Sequence, residues 1–183
     1  MIDGVRMLEI IKERQSDRKY SDKPVEKEKL ERILEAGRMA PSACNAQPWK
    51  FVVVNSPDVL AEIADAASEK TLGMNTFLKQ APVLVVVVRE KANLTSRIGG
   101  TIKNKDYSLI DIGIATENIC LQATAEGLGS CIIGWFNENR VKKTLGIPSE
   151  KRVEVIISLG YSMSEKREKK RKPPEAVISY NKY

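Results

Sequence analysis

The chain has 183 residues, with 30 Lys and Arg against 24 Asp and Glu, 42% hydrophobic and 5% aromatic residues, and no histidine. That length suits one domain, and that composition suits a folded globular protein and not a disordered chain. The missing histidine excludes His-ligated zinc and haem, Ser-His-Asp and Cys-His catalysis, and imidazole acid–base chemistry. Any reaction must therefore draw on other side chains or on a cofactor.

Val5, Leu8, Ile10 and Ile11 recur at helical spacing and predict a first amphipathic helix ending near Arg14. A polar stretch, residues 14–22, follows and is closed by Pro24. A second helix is predicted over residues 26–39, with Leu30, Ile33 and Leu34 inward and Pro41 as its stop. Residues 50–54 form a β-branched run and read as a strand. Residues 58–67 read as a helix, and the continuously apolar residues 83–88 as a central strand covered on both faces. Residues 91–105 contain Gly99-Gly100 and little periodicity, so a mobile loop is expected there.

Residues 108–126 predict a long helix whose apolar side chains wrap most of its circumference, which suggests a subunit interface. Strands at 131–135 and 153–159 flank a short basic helix at 138–145. After Pro173-Pro174, residues 176–180 read as a short strand in an extended tail, placed to pair with another subunit's sheet edge. The order ααβαβαβαβ favours helices layered on a sheet, with strand directions left open.

The charge is uneven. Residues 1–160 hold 23 basic and 21 acidic side chains, whereas residues 161–183 hold 7 and 3. The excess comes from Lys166-Arg167-Glu168-Lys169-Lys170-Arg171-Lys172. Such a run reads as a solvated tail, a phosphate site, or a nucleic-acid or membrane-surface patch. It holds no aromatic residue, and the rest of the chain is nearly charge-balanced, which argues against nucleic acid. Cys44, Cys120 and Cys131 form no CxxC pair, so zinc ribbons and dithiol redox motifs are not supported. Three idle thiols suit a reducing cytoplasm. The first twenty residues lack an apolar core with a cleavage site, and the longest apolar run, residues 82–88, is too short to span a bilayer. A cytoplasmic protein without membrane attachment is expected.

There is no GxxxxGK[ST], and no GxGxxG follows a strand. Gly127-Leu128-Gly129 precedes a strand instead, and reads as a helix cap and turn. Two segments stand out. Arg14-x-Ser16-x-Arg18 places guanidinium and hydroxyl donors on one side of an extended segment, suiting a phosphate or a polar heterocycle edge. Ala40-Pro41-Ser42-Ala43-Cys44-Asn45-Ala46-Gln47-Pro48-Trp49 offers Ser, Asn and Gln between two prolines, suiting close packing against a planar polar ligand.

With these two segments about 25 residues apart, the chain resembles the FMN-dependent nitroreductase family, whose members carry an RxSxR-type segment and a PSxxNxQPW loop. The resemblance extends through Asn75, Asp111-Ile112-Gly113, Gly127-Leu128-Gly129-Ser130-Cys131, Ile133-Gly134 and Lys169-x-Arg171-x-Pro173, and so spans essentially the whole chain. It implies an α+β fold, with a central mixed sheet flanked by helices in an intertwined homodimer. It treats residues 1–183 as a single FMN-binding domain, with 173–183 an extension reaching the partner subunit.

It also implies site residues. Arg14 and Ser16, helped by Lys169 and Arg171, would hold the FMN phosphate. Arg18 would approach the N1–C2 edge of the flavin, where a positive charge raises the reduction potential. Pro41, Ser42, Asn45 and Gln47 would reach the FMN of the other subunit. Asn75 would bond the pyrimidine edge, and Ile133 and Gly134 would lie at N5, with the Gly134 N–H as donor. Family members often have an acidic residue where Ile133 stands, so only backbone contacts remain there. No side chain need be catalytic, since flavin N5 is the reactive centre. The implied activity is ping-pong transfer of hydride from NADH or NADPH to a nitroaromatic, quinone or related small-molecule acceptor, with related proteins including dehalogenases. Alternatives are a flavin-binding or storage module without NAD(P)H turnover and, less favoured, a basic nucleic-acid-binding domain.

Overall fold

The architecture comes from a computed structural model, which describes residues 4–68, 73–91, 93 and 105–183. The expected mobile loop at 91–105 lies almost entirely outside the described residues. The elements run α1 (Gly4–Glu13), α2 (Lys27–Arg38), β1 (Trp49–Val54), α3 (Pro57–Ala67), β2 (Val83–Arg89), α4 (Tyr107–Ala125), β3 (Gly129–Ile133), α5 (Glu138–Leu145) and β4 (Arg152–Gly160). Short 3₁₀ turns occupy Ala43–Asn45, Thr76–Gln80 and Pro174–Ala176.

The four strands form one sheet in the order β1-β2-β4-β3, and every pair is antiparallel. Val54 at the end of β1 lies opposite Leu84 at the start of β2. The connection through α3 therefore brings the chain back to the sheet end it left. Among the described residues, the one parallel pairing is an isolated bridge between Ser16 and Ser130, beside β3. The four-stranded sheet itself is therefore antiparallel and not mixed as expected, and the bridge matters for the site below.

Burial follows the apolar pattern. β2 is covered on both faces, as its unbroken run of branched residues requires. On one face Val83, Val85, Val87 and Ile157 pack with Ile33 of α2 and Ile112, Ala115 and Ile119 of α4. On the other, Leu84, Val86, Val88 and Ile156 pack with Leu60 and Ile63 of α3 and Val141 of α5. Each fully buried isoleucine contributes about 1.5–3 kcal/mol of transfer free energy. The α2–α4 contact is so close that a Cβ at Gly37 would stand 2.7 Å from Ile119 Cγ1. α5 is capped at its start by Asn137 Oδ1, which accepts from Arg140 N at 3.0 Å, and ends at left-handed Gly146.

Two strand expectations need correction. The third strand begins at Gly129, two residues earlier than expected, and ends at Ile133, leaving Trp135 outside it and largely exposed. Gly129 reads as a turn in sequence, but its missing side chain leaves room for Asp17, whose Oδ2 would lie 2.7 Å from a Cβ there. Residues 176–180 are not a strand in the single chain. Pro174–Ala176 turn in 3₁₀ form, and Val177, Ile178 and Tyr180 are exposed.

α1 buries none of its residues and leaves Val5, Met7, Leu8 and Ile11 in solvent. α4 likewise turns Leu109, Ile110 and Ile114 outward while Ile112, Ala115 and Ile119 face the core. No helix among the described residues is long and apolar enough to cross a membrane.

Candidate functional site

Beyond the C-terminus of α1 the chain is held extended by its neighbours. Asp17 N donates to Ser130 O at 2.9 Å, Met163 N to Lys19 O at 2.9 Å, and Ser21 N to Tyr161 O at 3.0 Å. Residues 14–21 thus run between the start of β3 and the chain leaving β4. Asp17 points inward, where its Oδ1 accepts from Ser162 Oγ at 2.6 Å. Tyr20 is buried beside it, donating to Asp17 O at 2.9 Å and contacting Ser158 Oγ at 2.8 Å, and burial raises its phenol above the usual range. Alternation then turns Ser16 and Arg18 to the opposite side.

On that side lies a cleft of ≈ 310 Å³ whose second wall is the basic run from the other end of the chain. Arg14, Ser16 and Arg18 meet Lys169 and Arg171 there, together with Gln15, Arg167 and Lys170. Six cations against one carboxylate, Glu168, line the space, a charge balance that suits an anion. Arg167 donates to Ser16 O, and Lys169 Nζ to Ile11 O. Arg14 Nε pairs loosely with Glu117 of α4 at 3.5 Å and is buried without a hydrogen-bond partner. Lys169 is held below the usual lysine range, by burial first and then by the neighbouring Arg14 and Arg171 charges. Mutually repelling cations of this kind, one of them without a hydrogen bond, gain most from an incoming anion.

The loop after α2 follows a different plan. Ala43 N donates to both carboxylate oxygens of buried Asp111 on α4, at 3.1 and 3.2 Å. Ser42 Oγ accepts from Gln47 N at 2.9 Å, and Gln47 Nε2 donates to Asn45 Oδ1 at 3.0 Å. Cys44, Asn45 and Gln47 all have left-handed φ, of 53°, 51° and 47°. Such conformations cost about 1 kcal/mol or more each and persist where surroundings over-determine them. Pro41, Asn45 and Gln47 are exposed, and none of the loop residues lines the basic cleft of its own chain.

Ile133 closes β3, the strand alongside which residues 14–18 run, and Gly134 follows it. Ile133 is buried in the core, whereas Gly134 is exposed and a Cβ there would touch nothing within 4 Å. Asn75, at φ 59°, donates through Nδ2 to Ala67 O and Trp135 O, both at 3.0 Å. It therefore pins the residue after Gly134 to the end of α3, leaving its amide oxygen as an acceptor.

Sequence reasoning missed Gln15 and Arg167 in this cleft. Arg167 was legible only as part of a charge run, and a neutral glutamine between arginines carries no pattern at all. Among the described residues, no group of three or more acidic or thiol side chains could hold a metal ion.

The profile of the Nitroreductase family matches residues 11–73 and 66–161. The chain belongs to the nitroreductase family. It is 36% identical over 165 residues to an Archaeoglobus fulgidus protein provisionally named NADH dehydrogenase/NAD(P)H nitroreductase, covering 87% of each chain. A solved FMN-dependent nitroreductase from Clostridium difficile superposes with a TM-score of 0.78 at 32% identity, covering 96% of this chain and 99% of that one. An iodotyrosine deiodinase from Thermotoga neapolitana is 28% identical, covering 97% and 98%. The α+β nitroreductase fold expected from the sequence is thus borne out. In this nitroreductase-family chain, Arg14, Ser16, Arg18, Lys169 and Arg171 share one cleft, Asn75 and Gly134 stand together near the end of β3, and residues 41–48 stand apart.

Proposed function

We propose that the protein is an FMN-dependent oxidoreductase that takes reducing equivalents from NADH or NADPH and passes them to a nitroaromatic, quinone or related small-molecule acceptor, in alternation at one site. The observation that carries this reading is the convergence of Arg14, Ser16 and Arg18 with Lys169 and Arg171, about 150 residues apart in sequence, in one cation-lined cleft. The buried Arg14 Nε, which makes no hydrogen bond within the chain, and the depressed Lys169 ammonium fit a dianionic phosphate.

When bound, FMN supplies two-electron chemistry at N5, so no protein nucleophile or imidazole base is required. Arg14, Ser16, Lys169 and Arg171 would bind the phosphate, and Arg18 would set a positive charge at the N1–C2 edge. Asn75 would orient the pyrimidine edge through its amide oxygen, while Ile133 and Gly134 present backbone at N5. Gly134 N–H would donate there, a role that needs no side chain.

The working unit we propose is a homodimer. A ten-residue helix such as α1 is marginal alone in water, and it buries none of its own residues within the chain. The outward apolar side chains of α1 and α4 call for a cover, and a second copy supplies one. Pro41, Ser42, Asn45 and Gln47 would then reach the FMN held mainly by the partner, and residues 173–183 would lie on the partner's surface.

The test is the visible spectrum of the purified protein before and after adding FMN, then anaerobic titration with NADH and NADPH. Flavin absorbance that bleaches with either nucleotide and returns with an acceptor is the expected result. A protein that gains no flavin absorbance overturns the reading. Flavin that binds but never bleaches would select a binding or storage module.

A further inference from the structure

The two walls of the basic cleft carry like charges and should repel each other in the absence of an anion. On one wall stand Arg14 and Arg18, and on the other Arg167, Lys169 and Arg171. Two of the contacts between the walls are made by those charges themselves, Arg167 to Ser16 O and Lys169 to Ile11 O. Any anion entering the cleft competes for these same groups. A tie that an entering anion does not contest must come from other groups; the exposed Lys166–Glu13 ion pair at 3.4 Å is one, and a neutral clasp would be another.

Gln15 has that chemistry. Its Nε2 donates to Asp17 Oδ1 at 2.9 Å and to Glu165 O at 3.1 Å, and its Oε1 accepts from Arg167 N at 3.1 Å. One side chain therefore grips the basic segment at two backbone points, two residues apart, immediately before Lys169. Asp17 fixes the amide in turn, and is itself buried and bonded to Ser162. Ser164 Oγ, accepting from Arg18 N at 3.1 Å, is a further neutral tie, and Met163 N, donating to Lys19 O at 2.9 Å, is another just upstream.

We infer that Gln15 is a positioning residue which preassembles the phosphate cleft, holding residues 165–171 against residues 14–18 at the spacing a phosphate monoester needs. The inference rests on the FMN reading for the identity of the ligand, but the clasp itself is a property of the ligand-free chain. Gln15 acts on the phosphate through Lys169 and Arg171, without supplying charge. Preorganisation of this kind lowers the ordering cost of binding.

The test is Gln15→Ala, compared with the parent in two measurements. First, FMN and riboflavin affinities are measured by fluorescence titration. The parent should prefer FMN, and the variant should lose about tenfold in FMN affinity while riboflavin affinity stays within about twofold. Second, trypsin cleavage within residues 166–172 of the flavin-free protein should be about tenfold faster in the variant, with the thermal midpoint used to establish that the body is folded.

An unchanged preference for FMN together with unchanged cleavage overturns the inference. An equal loss for both flavins also overturns it, because the effect would not then lie at the phosphate. A parent that binds FMN no better than riboflavin counts against the flavin assignment of the cleft, and the cleavage comparison still decides whether Gln15 holds the segment.

Discussion

Residues 14–18 meet residues 164–171 from the far end of the chain, whereas the described contacts of residues 41–48 are mostly with one another and with Asp111. Both segments are short, polar and follow a helix. In the first, backbone pairing on both sides leaves Arg14, Ser16 and Arg18 aimed into a cleft that the same chain completes. In the second, three left-handed residues knot the loop into a fixed shape whose polar groups line no part of that cleft. A loop fixed in this shape and turned away from its own chain's cleft fits the proposed role at a partner's site. Under the homodimer proposed above, the contrast is between a site assembled within one subunit and a half-site offered to another.

The comparison breaks most sharply at the cleft. Arg14→Ala with Lys169→Ala removes one cation from each wall. Hydrogen bonds to charged groups contribute about 1.5–3 kcal/mol each, so losing two should weaken FMN binding at least about a hundredfold. Fluorescence titration reads this directly. An affinity within threefold of the parent would remove the phosphate from this cleft, while riboflavin binding should change far less.

A smaller effect is expected from the dimer. Leu8→Glu with Ile110→Glu places two charges on outward positions of α1 and α4, where neither side chain is buried within the chain. Sedimentation should show monomers of about half the parent's mass, because charges buried at a subunit interface without partners are strongly disfavoured. If residues 41–48 complete the partner's site, FMN affinity should fall about tenfold in those monomers. A monomer binding FMN as tightly as the parent would make the loop dispensable and erase the distinction between the two regions.

Legibility in the sequence divides along the same line. β2 announced itself because a run of branched apolar residues has few fates other than a central strand. The chemistry of residues 14–18 and 41–48 was also visible, since donors and prolines at fixed spacing restrict what can bind. What joins these segments to the rest was not. Asp111 reads as one acidic position on an apolar helix, and only the fold carries it to Ala43 N. Gln15 and Arg167 are 152 positions apart, and no local pattern ties a neutral amide to a basic run. The start of β3 was missed because Gly129 and Ser130 have low strand propensity, and close packing on Asp17 overrides it. Residues 176–180 have the composition of a strand but pair with none in the described chain, although the outer edge of β1 is open.

The mildest perturbation tests whether the two regions can be strained together. Glu126, just past α4, accepts from Arg32 Nε and Nη2 of α2, both at 2.7 Å, and from Gln122 at 2.9 Å. This brace joins the helix that leads into residues 41–48 to the helix that leads into β3, where Ser16 pairs. The Arg32 hydrogen bonds pull the Glu126 carboxyl down to about 2, against the opposing effect of burial and with help from Gln122. An unfolded glutamate titrates near 4.3, so the folded state holds its proton less tightly and the contribution to stability is fully present above about pH 5. It is lost progressively as pH falls from there toward about 2. Arg32 is half exposed, so solvent screening keeps the contribution of the pair small. In urea unfolding, Glu126→Gln should therefore be slightly less stable than the parent at pH 7, with the gap closing by about pH 2. Because the brace supports both regions and touches neither ligand surface, FMN affinity at pH 7 should stay within about twofold. A gap that did not change with pH would mean that the guanidinium is not its source, and an unequal effect on cleft and loop would show that the two are coupled by some other route.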